Sequence, residues 1–399
     1  MQAIKELYKA GRGPSTSHTL APERACRLFT EIYGPYPYYE AELFGSLSLT
    51  GKGHYTDRII LESLPGECKV KFSLDWDEDF PNGFYLCAFD ENHEFVRKWT
   101  VFSIGGGSIQ IKEYPLSWND EVYHEKSYRE IRALLDEKNI TLLDYVYSHE
   151  PDLKAYLNTI IDAMIDCVER GISTEGMLPG RLHMNRTAQR LYAQSTESLL
   201  ENNDLRLMAY AFAAGEENAA GHSCVTAPTL GACGVMAALV YYCAKDRNMD
   251  RSRLCDALAI GGVFGNLIKS NATISGAVGG CQAEVGTAVS MAAASAAYLM
   301  GLDIDRIEYA AEIAMEHNLG LTCDPVMGYV MIPCIERNAM GVLRAFDAAT
   351  LSRYMSNIRK HLVSFDMVVE TMKQTGMQIP IELRETAEGG LAKEYLNES

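Results

Sequence analysis

The sequence is poor in basic residues: 36 Lys and Arg stand against 53 Asp and Glu, for a net charge of −17. A surface that negative repels polyanions, which excludes nucleic acid and anionic membranes as expected partners. The chain also lacks a secretory start. Its opening, MQAIKELYKAGRG, has neither an apolar core nor a small-residue cleavage site, so a reducing, cytoplasmic setting is expected. An even cysteine count is missing too: 11 cysteines on 399 residues make no disulfide framework. No CxxC or HxxxH spacing points to zinc. Charge is absent altogether from Asn218 to Ala244, a length that could span a bilayer. Pro228, Gly231 and Gly234 interrupt that stretch, and broken backbone is costly against lipid. It reads as a buried loop and then a core helix from Gly234 to Lys245, with no membrane span.

What is present divides by texture. Up to about Tyr147, short apolar runs alternate with turn residues; AELFGSLSLTGKG is one of them. CKVKFSL, GFYLCAF and EFVRKWTVFSIGGG alternate with period two and are rich in Phe, Val and Tyr, so they read as strands. A helix is expected before them over 21–33, entered through Thr19 and Pro22 and left at Gly34. From Asp152 the apolar spacing is helical: Leu153, Leu157, Ile160, Ile161, Met164 and Cys167 share one face. Further helices fit 204–214, 251–269, 282–300, 303–317, 338–360 and 365–375. The charged stretch from Tyr128 to Glu150 marks the boundary. The expected fold class is α+β: a small amino-terminal α/β domain over 1–147, followed by a larger all-helical domain over 148–399.

The chemistry-bearing residues lie in small-residue loops. GPSTSHT, from Gly13 to Thr19, packs four hydroxyls and His18 behind a Gly-Pro turn, more than an N-cap needs. TGKGHYTD places His54 in a glycine-rich loop, and two such histidines are candidates for acid/base work. In SIGGGSI, the amides of Gly105 and Gly106 beside Ser103 could hold a carboxylate. Cys224, Cys233, Cys243 and Cys255 sit in apolar runs and read as core. Cys281, Cys323 and Cys334 lie instead at helix edges or turns, where free amides stabilise thiolates. Three thiolates can ligate three irons of a cubane, but their spacing by itself leaves cluster, zinc and core readings open.

Taken together the motifs are specific. GPSTSHT, GSLSLTGKGHYTD, SIGGGSI, TEGMLPG, EENAAGHSCVTAPTLGACG, NATISGAVGGCQAEVG, EHNLGLTCDPVMGYVMIPCIERNA and EGGLA follow one another from Gly13 to Ala392. In this content and order the chain resembles the bacterial iron–sulfur-dependent L-serine dehydratases, the L-serine ammonia-lyases. The resemblance implies a [4Fe–4S] cluster on Cys281, Cys323 and Cys334, with an amino acid as the small-molecule substrate. It implies that Ser15, Ser17 and Thr19 hold the substrate together with Ser103, Gly105, Gly106 and Asn271. His54 is the expected base, with His18 as second choice, and a homodimer is the expected assembly. The product would be pyruvate with ammonia.

Four departures stand out. The family's SGAEVGCQGE reads SGAVGGCQAE, placing Val278 where relatives are acidic; APTNGA has Leu230 for its polar residue. The first domain looks abbreviated between about Glu62 and Asp90. The chain closes on LAKEYLNES without the cysteine that follows GGLA in well-known members, so water or hydroxide is expected on the fourth iron. Competing readings are a threonine dehydratase, a cysteine desulfidase, an amino-acid sensor, and a pyridoxal-phosphate lyase built on Lys269 or Lys52.

Overall fold

A computed structural model describes residues 1–116, 121–197 and 202–398. The chain opens on β1 (Ala10–Arg12) and α1 (Ala21–Tyr33), then β2 (Tyr38–Gly45), a short turn α2 (Ser46–Leu49) and α3 (Thr56–Ser63). Strands β3 (Glu67–Phe72), β4 (Asn82–Phe89), β5 (Phe95–Gly105) and β6 (Ser108–Ile111) follow. Helices come next: α4 (Tyr128–Lys138), α5 (Leu142–His149), α6 (Leu153–Ser173), α7 (Ala188–Glu197) and α8 (Asn202–Ala219). After β7 (Ser223–Val225) come α9 (Cys233–Tyr241), α10 (Arg251–Asn271), the turn α11 (Gly276–Gly279) and α12 (Thr287–Leu299). The chain then runs through α13 (Ile304–Glu316), α14 (Cys334–Met355), α15 (Phe365–Gln378) and α16 (Gly390–Glu398).

The sheet has the order β3-β2-β4-β5-β6, parallel between β2 and β3 and antiparallel elsewhere. On its interior strand β2, Tyr39, Ala41 and Leu43 alternate inward. Together with Phe84, Leu86 and Trp99 they close a core against Ala25 and Phe29 of α1. Pro22 in the first turn and Gly34 at φ 79 bound that helix, the former pre-set for a helix start and the latter for a left-handed exit.

The second core is built from α6, α8, α9, α10, α12, α13 and α14. Small residues let these helices meet closely: a Cβ at Gly261 on α10 would sit 2.5 Å from Ser295 Oγ on α12. The charged stretch at 128–150 forms α4 and α5, started by the hydroxyls of Ser127 and Thr141. Ile131, Leu135, Tyr145 and Val146 pack into this same helical core, because charge on their outer faces hides an apolar inner one.

The carboxy-terminal region is largely, not wholly, helical. Strand β7, expected as loop, pairs antiparallel with β1, matching Gly11 to Cys224. Ile4, Leu7 and Tyr8 just ahead of β1 are buried in the helical core, and Tyr8 Oη donates to Leu258 O at 2.9 Å. The first dozen residues are therefore strapped to the helices, and the chain crosses to the sheet at Gly13–Leu20. Among the described residues, no helix is long and apolar enough to cross a membrane.

Candidate active site

The crossing segment is held from both sides. Asn218 Nδ2 on α8 donates to Pro14 O at 2.7 Å, and Leu230 N donates to Thr16 Oγ1 at 2.7 Å. Thr19 Oγ1 donates within the turn, to Arg12 O at 2.7 Å and Ser15 O at 2.6 Å. Ser103 Oγ on β5 donates to Ser17 O at 3.0 Å. So Thr16, Thr19 and Ser103 spend their hydroxyls on shaping the loop. The hydroxyls of Ser15 and Ser17 lie 3.2 and 2.8 Å from His18 Nδ1.

His18 and His54 meet edge to face, with ring centroids 4.2 Å apart. Both are buried, and burial lowers both pKa values, His18 to about 4 and His54 well below its usual range. Both rings are accordingly neutral at pH 7. Glu385 Oε1 lies 3.7 Å from His18 Nδ1. Ligand atoms of His18, His54 and Glu385 all fall within 4.8 Å of one another.

Three thiols close the other side. Cys281 follows Gly280, whose φ of 72 turns the chain into the helix ahead of α12. Cys323 is fixed by two backbone bonds: its N–H donates to Leu383 O at 2.7 Å, and its carbonyl accepts from Glu385 N at 2.6 Å. Cys334 is the first residue of α14, and the amide that follows it, Ile335 N, donates back to Met331 O at 2.9 Å. These cysteines line one small cavity of about 20 Å³ together with Ser15, His54, Glu284 and Glu385. Arg337, one turn into α14, faces Cys281 and donates to Thr322 O at 2.6 Å. Burial raises all three thiols, and for Cys323 and Cys334 the neighbouring acids and thiols add to it.

The structure thus brings together Ser15, Ser17, His18, His54, Cys281, Cys323 and Cys334. It does not bring in five of the expected substrate contacts. Thr19 and Ser103 spend their hydroxyls on the loop, outside the cavity lining. Asn271 ends α10 and donates to Lys126 O at 2.8 Å. Gly105 and Gly106 turn β5 into β6 with φ of 100 and 59, and pack against Ile274 and Ser275 outside the cavity lining. Lys269 Nζ donates to Gln2 Oε1 at 2.7 Å, and the exposed Lys52 pairs with Asp57; neither lines the cavity.

Sequence reasoning missed Glu284 and Glu385. Burial raises Glu284 to about 7 and Glu385 to about 8, the latter also through the Glu284 charge. A signal for the first was available: Glu284 is the sole charged residue between Lys269 and Asp303. Ionisable groups buried in apolar helices tend to mark function. Glu385 had no such signal, because RETAEGG reads as an ordinary polar turn.

Fold and site together define a two-domain enzyme whose thiols, imidazoles and carboxyls meet in a buried cavity. Comparison with known proteins makes the class specific. The family model described as serine dehydratase alpha chain matches residues 89–392, and that of the beta chain matches residues 3–76. The chain is 36% identical to L-serine dehydratase of Streptomyces coelicolor, with 98% of each chain covered. It is equally similar to L-serine dehydratase 2 of Escherichia coli, and 35% identical to L-serine dehydratase of Helicobacter pylori, each over 98% of both chains. The chain belongs to the bacterial L-serine dehydratase family, a family of lyases, with alpha and beta parts in one polypeptide. The Streptomyces alignment runs to 455 positions against 399 residues here, so that relative carries segments this chain lacks.

Proposed function

We propose that this protein eliminates water from L-serine to give pyruvate and ammonia, with a [4Fe–4S] cluster held by Cys281, Cys323 and Cys334. The observation that carries the reading is the convergence of these three thiols with His54 and two buried acids on one cavity. The donor set fits a cluster. Three thiols raised by burial, two of them also by neighbouring thiols, stay protonated unless a multivalent cation joins them, and iron supplies that charge. When bound, an iron lacking a protein ligand supplies Lewis acidity toward the leaving hydroxyl.

The chain's own groups do the rest. Ser15, which lines the cavity, offers its hydroxyl to the substrate carboxylate, and Glu284 and Glu385, held largely protonated by burial, offer carboxyl oxygens to its ammonium. His54 Nε2, buried and without a partner among the described residues, takes the Cα proton. The electron pair left on Cα forms the double bond to Cβ as hydroxide departs. Released aminoacrylate tautomerises and hydrolyses without help. Exposed Tyr354, Ile358 and Leu362, at and beyond the end of α14, form the apolar face we assign to a homodimer; light scattering should give about twice 44.2 kDa.

The test is anaerobic reconstitution, iron and sulfide analysis, and product assays with L-serine, L-threonine and L-cysteine side by side. Pyruvate from serine at the highest kcat/KM supports the reading. Sulfide release from cysteine at a higher kcat/KM replaces it with a desulfidase, and turnover without bound iron removes the cluster from it.

A further inference from the structure

The hydroxyl of Thr50 sits between the two histidines. Its Oγ1 lies 2.9 Å from Ser46 O, 2.8 Å from His18 Nε2 and 3.4 Å from His54 Nδ1. A hydroxyl has one proton to give and two lone pairs to accept with, so these contacts constrain one another.

His18 is the starting point. Its Nε2 is also 3.0 Å from the Ser46 carbonyl oxygen, an atom that only accepts. A bare nitrogen lone pair facing that oxygen would repel it, so Nε2 carries the proton. Its Nδ1 then has one lone pair, which accepts from the hydroxyl of Ser17 at 2.8 Å, nearer than that of Ser15 at 3.2 Å. Thr50 cannot donate to a nitrogen that already bears hydrogen. Its proton goes to Ser46 O, the nearer of the two remaining acceptors at 2.9 against 3.4 Å. The Thr50 amide donates to that same carbonyl at 3.0 Å, which fills it and leaves His18 Nε2–H to the Thr50 oxygen.

One lone pair of Thr50 remains, and His54 Nδ1 faces it. A neutral imidazole that donates from Nδ1 has a bare lone pair on Nε2, since the partner of one ring nitrogen decides the state of the other. His54 Nε2 is the ring nitrogen with no partner among the described residues, on a side chain that lines the cavity.

We propose that Thr50 is a positioning residue: it holds His54 as the Nδ1–H tautomer, so that Nε2 presents a lone pair, not a proton, to the Cα–H of the substrate. The proposal rests on His54 being the base. Without the Thr50 oxygen nothing favours a proton on Nδ1, and the ring can place it on Nε2, where it blocks proton abstraction.

Thr50→Val removes the oxygen at nearly constant volume, and Thr50→Ser restores it. In the cluster-loaded enzyme, Thr50→Val should lower kcat for L-serine by about 10- to 100-fold, the scale of an impaired acid/base group, with KM within about twofold. The primary isotope effect on kcat with L-serine deuterated at Cα should rise, because proton removal becomes more limiting. Thr50→Ser should recover kcat to within about threefold of the native enzyme, and iron and sulfide content should match in all three. A Thr50→Val enzyme with native kcat overturns the proposal. So does a Thr50→Ser enzyme as slow as Thr50→Val, or a loss of rate without a rise in isotope effect. His54→Ala run in parallel separates the two readings. If it keeps a rate near the native one, the base itself is misassigned. If it collapses while Thr50→Val is native-like, only the role of Thr50 fails.

Discussion

Acid should loosen this protein through His18, and the size of the effect follows from its surroundings. The ring is fully buried, and burial lowers its pKa from 6.5 to about 4. A histidine held neutral in the folded chain gives stability that is complete above its unfolded pKa and is lost as pH falls toward the folded one. With these two values the ceiling is about 3.4 kcal/mol, of which about 2 kcal/mol is gone by pH 5 and about 3 kcal/mol by pH 4. His18→Gln cannot titrate. It should be less stable than the native chain at pH 7.5, having lost the bonds to Ser17 and Thr50, yet its stability should fall less on acidification. Urea unfolding of both proteins at pH 7.5, 6 and 5, followed by circular dichroism, gives the difference in slope, and titrations common to both cancel. A native loss exceeding the variant's by about 2 kcal/mol between pH 7.5 and 5 is expected. Equal slopes would refute the buried neutral ring. A native chain that gains on the variant in acid would show a charged imidazole paired with Glu385, 3.7 Å away.

Other expectations are more direct. Cys323→Ser should lose bound iron and turnover together, whereas Cys243→Ser, buried beyond α9 outside the cavity lining, should keep both; full iron content in the first variant would remove Cys323 from the site. Gly13→Ala should cost roughly 1–3 kcal/mol and shift the Ser15–His18 segment, since its Cβ would lie 2.1 Å from Asn218 O; unchanged melting and activity would show that the crossing segment yields freely. Glu312 on α13 is raised to about 8 by burial, with the adjacent Glu316 adding to it. Its protonated form gives stability that is complete below pH 4.5 and is lost as pH rises through about 8. Glu312→Gln should therefore gain on the native chain in melting temperature as pH rises across that range, titrations common to both cancelling, and a constant difference would contradict the shift.

Much of this protein could be read along the chain. The 3–4 spacing of Leu153 to Cys167 set α6, and Pro22 and Gly34 set the ends of α1, because helix faces and helix ends are local properties. Period-two alternation set β3, β4 and β5 in the same way. The glycine, proline and hydroxyl loops around His18, His54 and the three cysteines marked the site, since polar residues in apolar surroundings need partners that only a site or a cap provides.

Folding alone decided which of those residues meet. Ser223–Val225 carried no signal as a strand, and it became one because Ala10–Arg12, more than 200 positions earlier, offered free backbone groups beside it. Glu385 entered the cavity through the short backbone bonds that join its turn to Cys323. Asn271 and the triple glycine, promising as motifs, were turned instead to Lys126 and to Ile274. Sequence patterns record what a residue requires of its surroundings: burial, a partner, a positive φ. Several neighbours can meet each requirement, and the packing of two cores across one crossing segment selects among them.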